Sequence, residues 1–241
     1  MNGINTIMEK ILGIPILHLN NVALDILPSL QEDIDAIYES KKHWEGKRGR
    51  YLSKSSLYNE DGSHKFITKE DPMEGVEARH ELKKIIDVHA LNYMKQFTLS
   101  QPSINALEKH WHSYAWHSTM EAEDDYGWHA HNGYHLIATY YVRSEEEHAP
   151  IMFKNPISDL FATWLPGGKY NSLEHTIKPK TGDLIVWPAW LEHQVPGYNF
   201  ETQFQLSEEK AQYNQNRISI TMCYTKPGMQ FAFMEEQNGQ K

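Results

Sequence analysis

The fold is decided by one stretch of the chain, residues 182–195, which reads GDLIVWPAWLEHQV. A Gly-Asp turn leads into an apolar run over 184–188, and a tight Pro-Ala-Trp corner then precedes a second short run that carries His193. Short runs rich in β-branched and aromatic residues and bounded by turn residues are typical of strands. The stretch therefore predicts two consecutive strands, with a histidine at the start of the second.

The same alternation of short apolar runs and turn residues continues on both sides of this stretch, from about residue 111 onward. Short apolar runs alternate with turn signals such as Asn132-Gly133 and Pro227-Gly228. Many short strands with such turns predict a mainly β fold of the sandwich or jelly-roll kind. The predicted strands cover residues 111–118, 135–142, 149–153, 173–177, 184–188, 193–196, 218–224 and 230–233.

The first hundred residues differ, since they combine helical spacing with polar loops. The predicted elements are a strand over 14–19, a helix that opens at Pro28, a long loop over 45–65 and a helix over 72–97. We expect one domain over residues 1–241. In it, a helical and loop region over 1–110 would buttress a double-stranded β-helix (jelly roll) over 111–241, so that the fold is mainly β with flanking helices.

Composition limits the class of protein. Of the 241 residues, 40% are hydrophobic and 12% aromatic, which is enough to form a core. No apolar run is long enough to span a membrane, and the first residues lack the pattern of a secretory signal. The net charge of −9 disfavours general nucleic-acid binding. Cys223 is the one cysteine, which suits a reducing compartment, so we expect a cytoplasmic protein with a buried thiol.

Three histidines have a spacing that could serve a metal ion. His129 and His131 are separated by one residue, and alternate residues of a strand point the same way. They are therefore either a ligand pair or a surface pair. His193 would close a set of three on one side of a metal, leaving the other side open to substrate and oxygen. Neutral imidazole suits iron, copper, nickel and zinc.

Arg217 stands at the start of an otherwise apolar run, ISITMCY. An arginine buried at the mouth of a β core needs an anion, because burial without one is costly. The anion is either an acidic neighbour in the protein or the carboxylate of a ligand. In the second case the guanidinium fork and the Ser219 hydroxyl would hold it together.

Taken in order, these pieces resemble the 2-oxoglutarate- and iron(II)-dependent oxygenases, in particular the prolyl-4-hydroxylase-like branch and its small bacterial and phage relatives. The resemblance covers about residues 111–226. The family pattern is His-x-Asp at the end of a core strand, then a tyrosine-rich strand, then Gly-Asp before an apolar run, then a distal His, and finally Arg-x-Ser. The corresponding segments here are WHAHNG at 128–133, ATYYV at 138–142, the stretch 182–195, and RISIT at 217–221.

The resemblance implies both cofactors and their ligands. His129 and His193 fall on the two histidines that hold Fe(II). Arg217 falls on the residue that pairs with the distal carboxylate of 2-oxoglutarate, with Ser219 as its helper. Tyr141 either binds that carboxylate as well or packs in the core. The implied activity is a dioxygenase that uses O2, hydroxylates a peptidyl or small-molecule substrate and releases succinate and CO2, with no catalytic residue beyond the metal ligands.

One departure concerns the metal. The family carries a carboxylate where this chain has His131, which we take as the third ligand. A carboxylate could instead come from Asp124, Asp125 or Glu192, or the position could lack a protein ligand, as in the halogenating members of the family. Two other functions stay open. One is a three-histidine dioxygenase that does not use 2-oxoglutarate, and the other is a jelly-roll binding module without enzymatic activity.

Overall fold

A computed structural model describes residues 6–11, 14–39, 43–45, 51–53, 77–97, 112–120, 125–156, 173–197 and 217–225. Within these ranges the chain is mainly β, as predicted. The helices are α1 Leu27–Glu39 and α2 Glu77–Lys95. The strands are β1 Thr6–Ile11, β2 Ile14–Leu19, β3 His43–Glu45, β4 Tyr51–Ser53, β5 His112–Met120, β6 Tyr126–His129, β7 Leu136–Arg143, β8 Ile151–Lys154, β9 Glu174–Ile177, β10 Leu184–Pro188, β11 His193–Val195 and β12 Arg217–Thr225.

The strands form two sheets. The large sheet has the order β1-β2-β10-β7-β12-β5-β4-β3, and the small sheet has the order β6-β11-β8-β9. Neighbouring strands in both sheets are antiparallel. Several neighbours are far apart in the chain, so the sheets are assembled by long-range pairing rather than by local hairpins alone.

The central strands β7, β10 and β12 of the large sheet are buried on both faces, and this explains their nearly continuous apolar runs. On β10, Leu184 and Val186 belong to the core between the sheet and the helices. Ile185 and Trp187 alternate with them and belong to the core shared with the small sheet. The described chain is therefore layered as helices, large sheet and small sheet.

The two helices cover the outer face of the large sheet. Leu30 and Ile34 of α1 are fully buried, as are Leu82 and Ile86 of α2, which is the i, i+4 spacing expected of one helical face. Tyr93 ties α2 to the sheet, because its hydroxyl donates a hydrogen bond to the Pro15 carbonyl oxygen at 2.6 Å. Neither of the described helices combines the length and the apolar character that a membrane span requires.

Most predicted elements are confirmed, some with shifted ends. The strand predicted over 14–19 coincides with β2, and the two helices lie where the apolar spacing indicated. The N-terminal region also supplies β1, β3 and β4, which were not predicted, and β4 lies inside the stretch predicted as loop. A three-residue strand has too short a pattern to stand out, and β4 is defined by its pairing with β5. The strand predicted over 230–233 and residues 72–76 of the second helix lie outside the described ranges.

The turn before β10 depends on glycine. Gly182 has a φ of 85°, a conformation that residues with a Cβ rarely adopt. A Cβ built there would lie 2.5 Å from Leu24 Cδ2. The Gly182 N–H donates to the Tyr141 carbonyl oxygen at 2.8 Å, so the turn also fixes the start of β10 against β7.

Asp183 joins this turn to β2. Its carboxylate lies 2.9 Å from His18 Nε2 and accepts hydrogen bonds from the Asn20 side-chain amide and the Lys180 backbone N–H, both at 2.8 Å. Only 2% of Asp183 is exposed. The carboxylate therefore satisfies three polar groups from two segments that are distant in sequence.

We expect Asp183→Asn to lower the free energy of unfolding by about 2–3 kcal/mol, because an amide replaces one accepting oxygen with a donor and leaves buried partners unsatisfied. The matched control is Asp35→Asn, which removes a half-exposed carboxylate that pairs with Arg143 at 3.2 Å. This control substitution should lower the free energy of unfolding by less than about 1 kcal/mol. Urea unfolding followed by circular dichroism measures both, and equal losses would contradict a structural role for the Asp183 network.

Candidate metal centre and adjoining cavity

Three imidazoles converge at one end of the small sheet. His193 is the first residue of β11, and the antiparallel register places it directly opposite His129, the last residue of β6. His131 follows two residues later. The ligand nitrogens of the three side chains all lie within 4.8 Å of one another. The ring centroids are 4.3 Å apart for His129 and His193, and 5.2 and 5.1 Å from each of these to His131. The three predicted ligands are therefore brought together.

His131 reaches this cluster by a different route from the one predicted. β6 ends at His129, so the two histidines are not alternate residues of one strand. The His131 backbone N–H instead donates to the Ala189 carbonyl oxygen at 2.9 Å, in the corner after β10. A turn at Asn132-Gly133 follows, with Gly133 at a φ of 88°. The convergence was predicted, but the strand alternation offered as its reason does not apply to His131.

Hydrogen bonds orient two of the rings. His129 Nδ1 lies 2.7 Å from the Gly127 carbonyl oxygen, and His193 Nδ1 lies 2.9 Å from the Leu191 carbonyl oxygen. A carbonyl oxygen only accepts, so in each ring the proton is on Nδ1 and the lone pair is on Nε2. Metal-binding histidines are commonly fixed in this way by a partner at the other nitrogen.

Burial keeps the cluster in the form that binds metal. Burial, with smaller contributions from the neighbouring His193 and His129, lowers the pKa of His131 to about 3. Burial also lowers the pKa of His193 to about 4, with a smaller contribution in the same direction from His129. Both rings are therefore neutral near pH 7, and a neutral imidazole nitrogen can donate its lone pair to a metal.

The other face of His131 meets the lone cysteine. Cys223 Sγ lies 4.0 Å from His131 Nδ1. The thiol is fully buried in β12, and this burial raises its pKa well above the usual value. The prediction of Cys223 as a buried thiol is confirmed.

The structure also bears on the carboxylates considered as alternative ligands. Glu192 is exposed and forms an ion pair with Lys154, with Nζ and Oε2 3.1 Å apart. Within the described ranges no Asp or Glu joins the three histidines, so neither Asp125 nor Glu192 does so. Asp124 lies outside the described residues.

A cavity between the two sheets opens beside the histidines. Its wall includes the residues predicted to bind 2-oxoglutarate, because Arg217 and Ser219 alternate on β12 and Tyr141 lies opposite Ser219 on β7. The described residues that line it are Ser118, Tyr126, His129, His131, Thr139, Tyr141, Ile151, Trp187, His193, Val195, Arg217, Ser219 and Thr221. All six predicted site residues thus share one cavity.

Hydroxyl groups line the part of the cavity formed by the large sheet. Thr139 and Thr221 face each other across β7 and β12 with their oxygens 3.0 Å apart. Ser219, which was predicted to assist Arg217, lies 3.3 Å from the hydroxyl of Ser118 on β5. Thr221 could have been found by extending the alternation of Arg217 and Ser219, but Ser118 could not, because its position depends on the pairing of β5 with β12.

Arg217 is a buried cation in this wall, with only 3% of its surface exposed. Its guanidinium carbon lies 4.8 Å from the centre of the Tyr141 ring, and Nη1 lies 3.3 Å from Met120 Sδ. Its Nε has no hydrogen-bond partner. Among the described residues Arg217 has no acidic partner, so the ion pair considered from the sequence is not found there.

The Tyr141 hydroxyl is a second unsatisfied donor beside Arg217. It is fully buried and has no hydrogen-bond partner among the described residues. Burial raises the pKa of Tyr141, and the nearby Arg217 offsets this only in part, so the phenol stays protonated. A buried cation and a buried O–H without acceptors indicate a place where an anion binds.

Tryptophans near the ligands divide into two groups. Trp187 of β10 lines the cavity and packs edge-on against His193, with the ring centroids 5.0 Å apart. Trp128 and Trp190, which adjoin the ligands in sequence, are 38% and 55% exposed and lie outside the cavity lining. Proximity to the histidines in sequence therefore does not decide which indoles line the cavity.

The comparisons with known proteins agree with this geometry. Residues 114–222 match the family model described as "Putative 2OG-Fe(II) oxygenase". A Pseudomonas putida prolyl-4-hydroxylase has a similar structure, with a TM-score of 0.53 and 13% identity over 88% of this chain and 92% of that one. A Trichoplax adhaerens prolyl hydroxylase, solved with a hypoxia inducible factor peptide fragment, is also similar. Its TM-score is 0.54, and the sequences are 13% identical over 90% of this chain and 86% of that one.

A third similar structure is HygX from Streptomyces hygroscopicus, solved with nickel, 2-oxoglutarate and hygromycin B bound. It gives a TM-score of 0.50 and 8% identity over 88% of this chain and 83% of that one. Identities this low show a shared fold only. No protein of curated function matches the sequence.

The three-histidine cluster, beside a cavity whose wall carries a buried cation, is compatible with metal binding. The family match covers residues 114–222 and confirms the resemblance of this region to the 2-oxoglutarate- and iron(II)-dependent oxygenases.

We expect His193→Ala to weaken Co(II) binding at least about 100-fold, more than the loss of a group that merely orients a ligand. His193 is only 4% exposed, so a thermal melt must show that the variant folds. The control is His80→Ala, which removes an imidazole of α2 that is not part of the cluster. Co(II) titration followed by visible absorption measures both, and equal affinities would exclude His193 as a ligand.

Proposed function

We propose that the chain is an iron(II)- and 2-oxoglutarate-dependent dioxygenase that hydroxylates a peptidyl or small-molecule substrate. In this proposal His129, His131 and His193 hold the iron, while Arg217, Tyr141 and Ser219 bind the distal carboxylate of 2-oxoglutarate. One observation carries it. A buried guanidinium that has no acidic partner and whose Nε has no acceptor among the described residues lines the same cavity as the three imidazoles, and so does a buried phenol whose O–H has no acceptor among them.

The chemistry of the wall fits a dicarboxylate that bridges two ends of the cavity. Arg217 would supply a charge-assisted hydrogen bond to one carboxylate, and Ser219 on the same strand and Tyr141 on the neighbouring β7 would also donate to it. The other end of the dicarboxylate would reach the histidines. The hydroxyls of Thr139 and Thr221 lie in the same wall and suit a polar ligand.

The histidine cluster fits a divalent metal. Nε2 of His129 and of His193 carries a lone pair, and the ligand nitrogens of the three rings lie within 4.8 Å of one another. Iron(II) bound there would supply the activation of oxygen that is coupled to decarboxylation of 2-oxoglutarate. The chain's own part is to fix the ligand nitrogens and to exclude water with apolar wall residues such as Ile151, Trp187 and Val195.

The fold proposal is a double-stranded β-helix in a single domain over residues 1–241. Two facing antiparallel sheets and the likeness to the prolyl hydroxylases support it. The large sheet includes β2 and β4 from the N-terminal region, so residues 1–110 would be part of the domain as well as a buttress. The buried single thiol suits the cytoplasmic location proposed from the sequence.

A second candidate is a dioxygenase that uses three histidines and no 2-oxoglutarate. It is favoured by His131, which stands where the family has a carboxylate. In that case Arg217 would bind a carboxylate of the substrate itself. A binding module without activity is the third candidate, and it requires that the histidines hold no metal.

One experiment separates the three. Iron(II) and 2-oxoglutarate are added anaerobically, and the metal-to-ligand charge-transfer band is sought in the visible region. The proposal predicts a band that is lost in His193→Ala and that requires a higher 2-oxoglutarate concentration in Arg217→Gln. Iron binding without a band would favour the second candidate, and absence of metal binding would leave only the module.

Two adjacent tyrosines provide a matched pair of variants. Tyr141→Phe should weaken 2-oxoglutarate binding to the metal-loaded protein about tenfold, the effect of one lost hydrogen bond of about 1.4 kcal/mol. It should leave the free energy of unfolding unchanged or higher, because the hydroxyl has no partner in the described structure. Isothermal titration calorimetry and urea unfolding measure the two quantities.

Tyr140→Phe is the control, since the Tyr140 hydroxyl faces the helices and donates to the Val22 carbonyl oxygen at 2.9 Å. It should cost about 1 kcal/mol of stability and leave 2-oxoglutarate affinity unchanged. If Tyr141→Phe affects stability but not affinity, Tyr141 is a packing residue, the alternative that the sequence left open.

A further inference from the structure

We infer that His18, in the N-terminal strand β2, is a positioning residue for the co-substrate. Through the Asp183 carboxylate it fixes the backbone of Tyr141, whose hydroxyl binds the distal carboxylate of 2-oxoglutarate in the proposed function. The inference rests on that function and deepens it, because β2 lies outside residues 114–222, the part of the chain that the family model matches.

Both main-chain polar groups of Tyr141 are held by the turn before β10. The Tyr141 N–H donates to the Asp183 carbonyl oxygen at 2.9 Å, and the Gly182 N–H donates to the Tyr141 carbonyl oxygen at 2.8 Å. The Tyr141 side chain is fully buried, and close-packed interiors transmit displacements. A shift of this turn therefore moves the hydroxyl of Tyr141 in the cavity.

The Asp183 side chain in turn holds the turn in place. Its carboxylate accepts from the Lys180 N–H at 2.8 Å, and the Asp183 N–H donates to the Lys180 carbonyl oxygen at 2.9 Å. His18 Nε2 lies 2.9 Å from Asp183 Oδ2, and a carboxylate only accepts, so the imidazole donates. His18 is 7% exposed and Asp183 2%, so loss of this donor leaves a buried carboxylate oxygen unsatisfied.

His18 and Tyr141 lie on the same face of the large sheet. Leu17 and Leu19 belong to the core between the sheet and the helices, whereas Ile16 belongs to the core shared with the small sheet. Strand residues alternate between faces, so His18 points to the side of Ile16. Tyr141 belongs to the same core as Ile16, and only β10 separates β2 from β7.

The charge of Asp183 reaches the phenol as well. Burial is the main cause of the raised pKa of Tyr141, Arg217 offsets it in part, and the Asp183 carboxylate raises it further. The network that includes His18 therefore helps to keep the phenol in the protonated form, which is the form that donates a hydrogen bond.

A double-mutant cycle on the Co(II)-loaded full-length chain tests the inference, with 2-oxoglutarate affinity measured by isothermal titration calorimetry. His18→Leu removes the donor and keeps an apolar side chain in the buried site. It is made in the wild-type chain and in Tyr141→Phe. His18→Gln is the conservative variant, because its side-chain amide can still donate to Asp183.

His18→Leu should weaken 2-oxoglutarate binding at least about fivefold in the wild-type chain and less than about twofold in Tyr141→Phe, because there the hydroxyl to be positioned is already absent. His18→Gln should stay within about twofold of the wild-type affinity. A residue that only stabilises the fold would not make its effect on affinity depend on the Tyr141 hydroxyl.

Leu17→Ala is the control. It lies next to His18 on β2, is 5% exposed and packs in the core on the helix side, so it should lower stability through a cavity. Its effect on 2-oxoglutarate affinity should stay below about twofold. Thermal melts show which variants fold, and His18→Asn, whose shorter amide withdraws the donor, replaces His18→Leu in the cycle if the latter does not.

Equal losses of affinity in the two backgrounds, or no loss in the wild-type chain, would overturn the inference and leave the proposed function intact. If Tyr141→Phe binds 2-oxoglutarate as well as the wild-type chain does, the role proposed for Tyr141 is wrong and the inference with it. If the Co(II)-loaded wild-type chain binds no 2-oxoglutarate, the proposed co-substrate is wrong as well.

Discussion

The antiparallel register between β11 and β6 is the constraint on which the site depends. It places His193 opposite His129, and the same row continues to Phe153 on β8. Trp187 packs against His193 from the large sheet, so the imidazole is held between the two layers. A slip of one residue would turn His193 to the solvent side and bring Glu192 inward, because strand side chains alternate between faces. The same register therefore also sets His193 and His129, two of the proposed metal ligands, opposite each other.

The sequence predicts which site residues share a face wherever those residues lie on one strand. Alternation on β7 and β12 indicated that Tyr141 shares a face with Thr139, and that Arg217 shares one with Ser219. The approach of His131 could not be derived in this way, since it depends on a backbone contact with Ala189, far along the chain. Strands of three residues were missed for a related reason. Such short strands are stabilised by their pairing partners, and the local sequence does not indicate which strands those partners are.

The two buried polar regions of the chain contrast with each other. Around Asp183 three polar groups from two segments meet one carboxylate, and this region holds the fold together. Around Arg217 and Tyr141, donors are buried without acceptors among the described residues. Local violations of the rule that buried polar groups are paired are expected where a protein binds a ligand. The satisfied network thus lies at the turn before β10, and the unsatisfied donors line the cavity.

The position of β2 in the large sheet has a consequence for how the chain folds. β2 pairs with β10, and the hydrogen-bonded pair His18 and Asp183 is separated by 165 residues. β5 and β12 are also distant partners, with Ser118 and Ser219 separated by 101 residues. Chains dominated by such non-local contacts fold slowly, because large loops must close before the contacts can stabilise them. During that time the apolar strands have unpaired edges, so the folding of this protein should be sensitive to concentration and should benefit from chaperones.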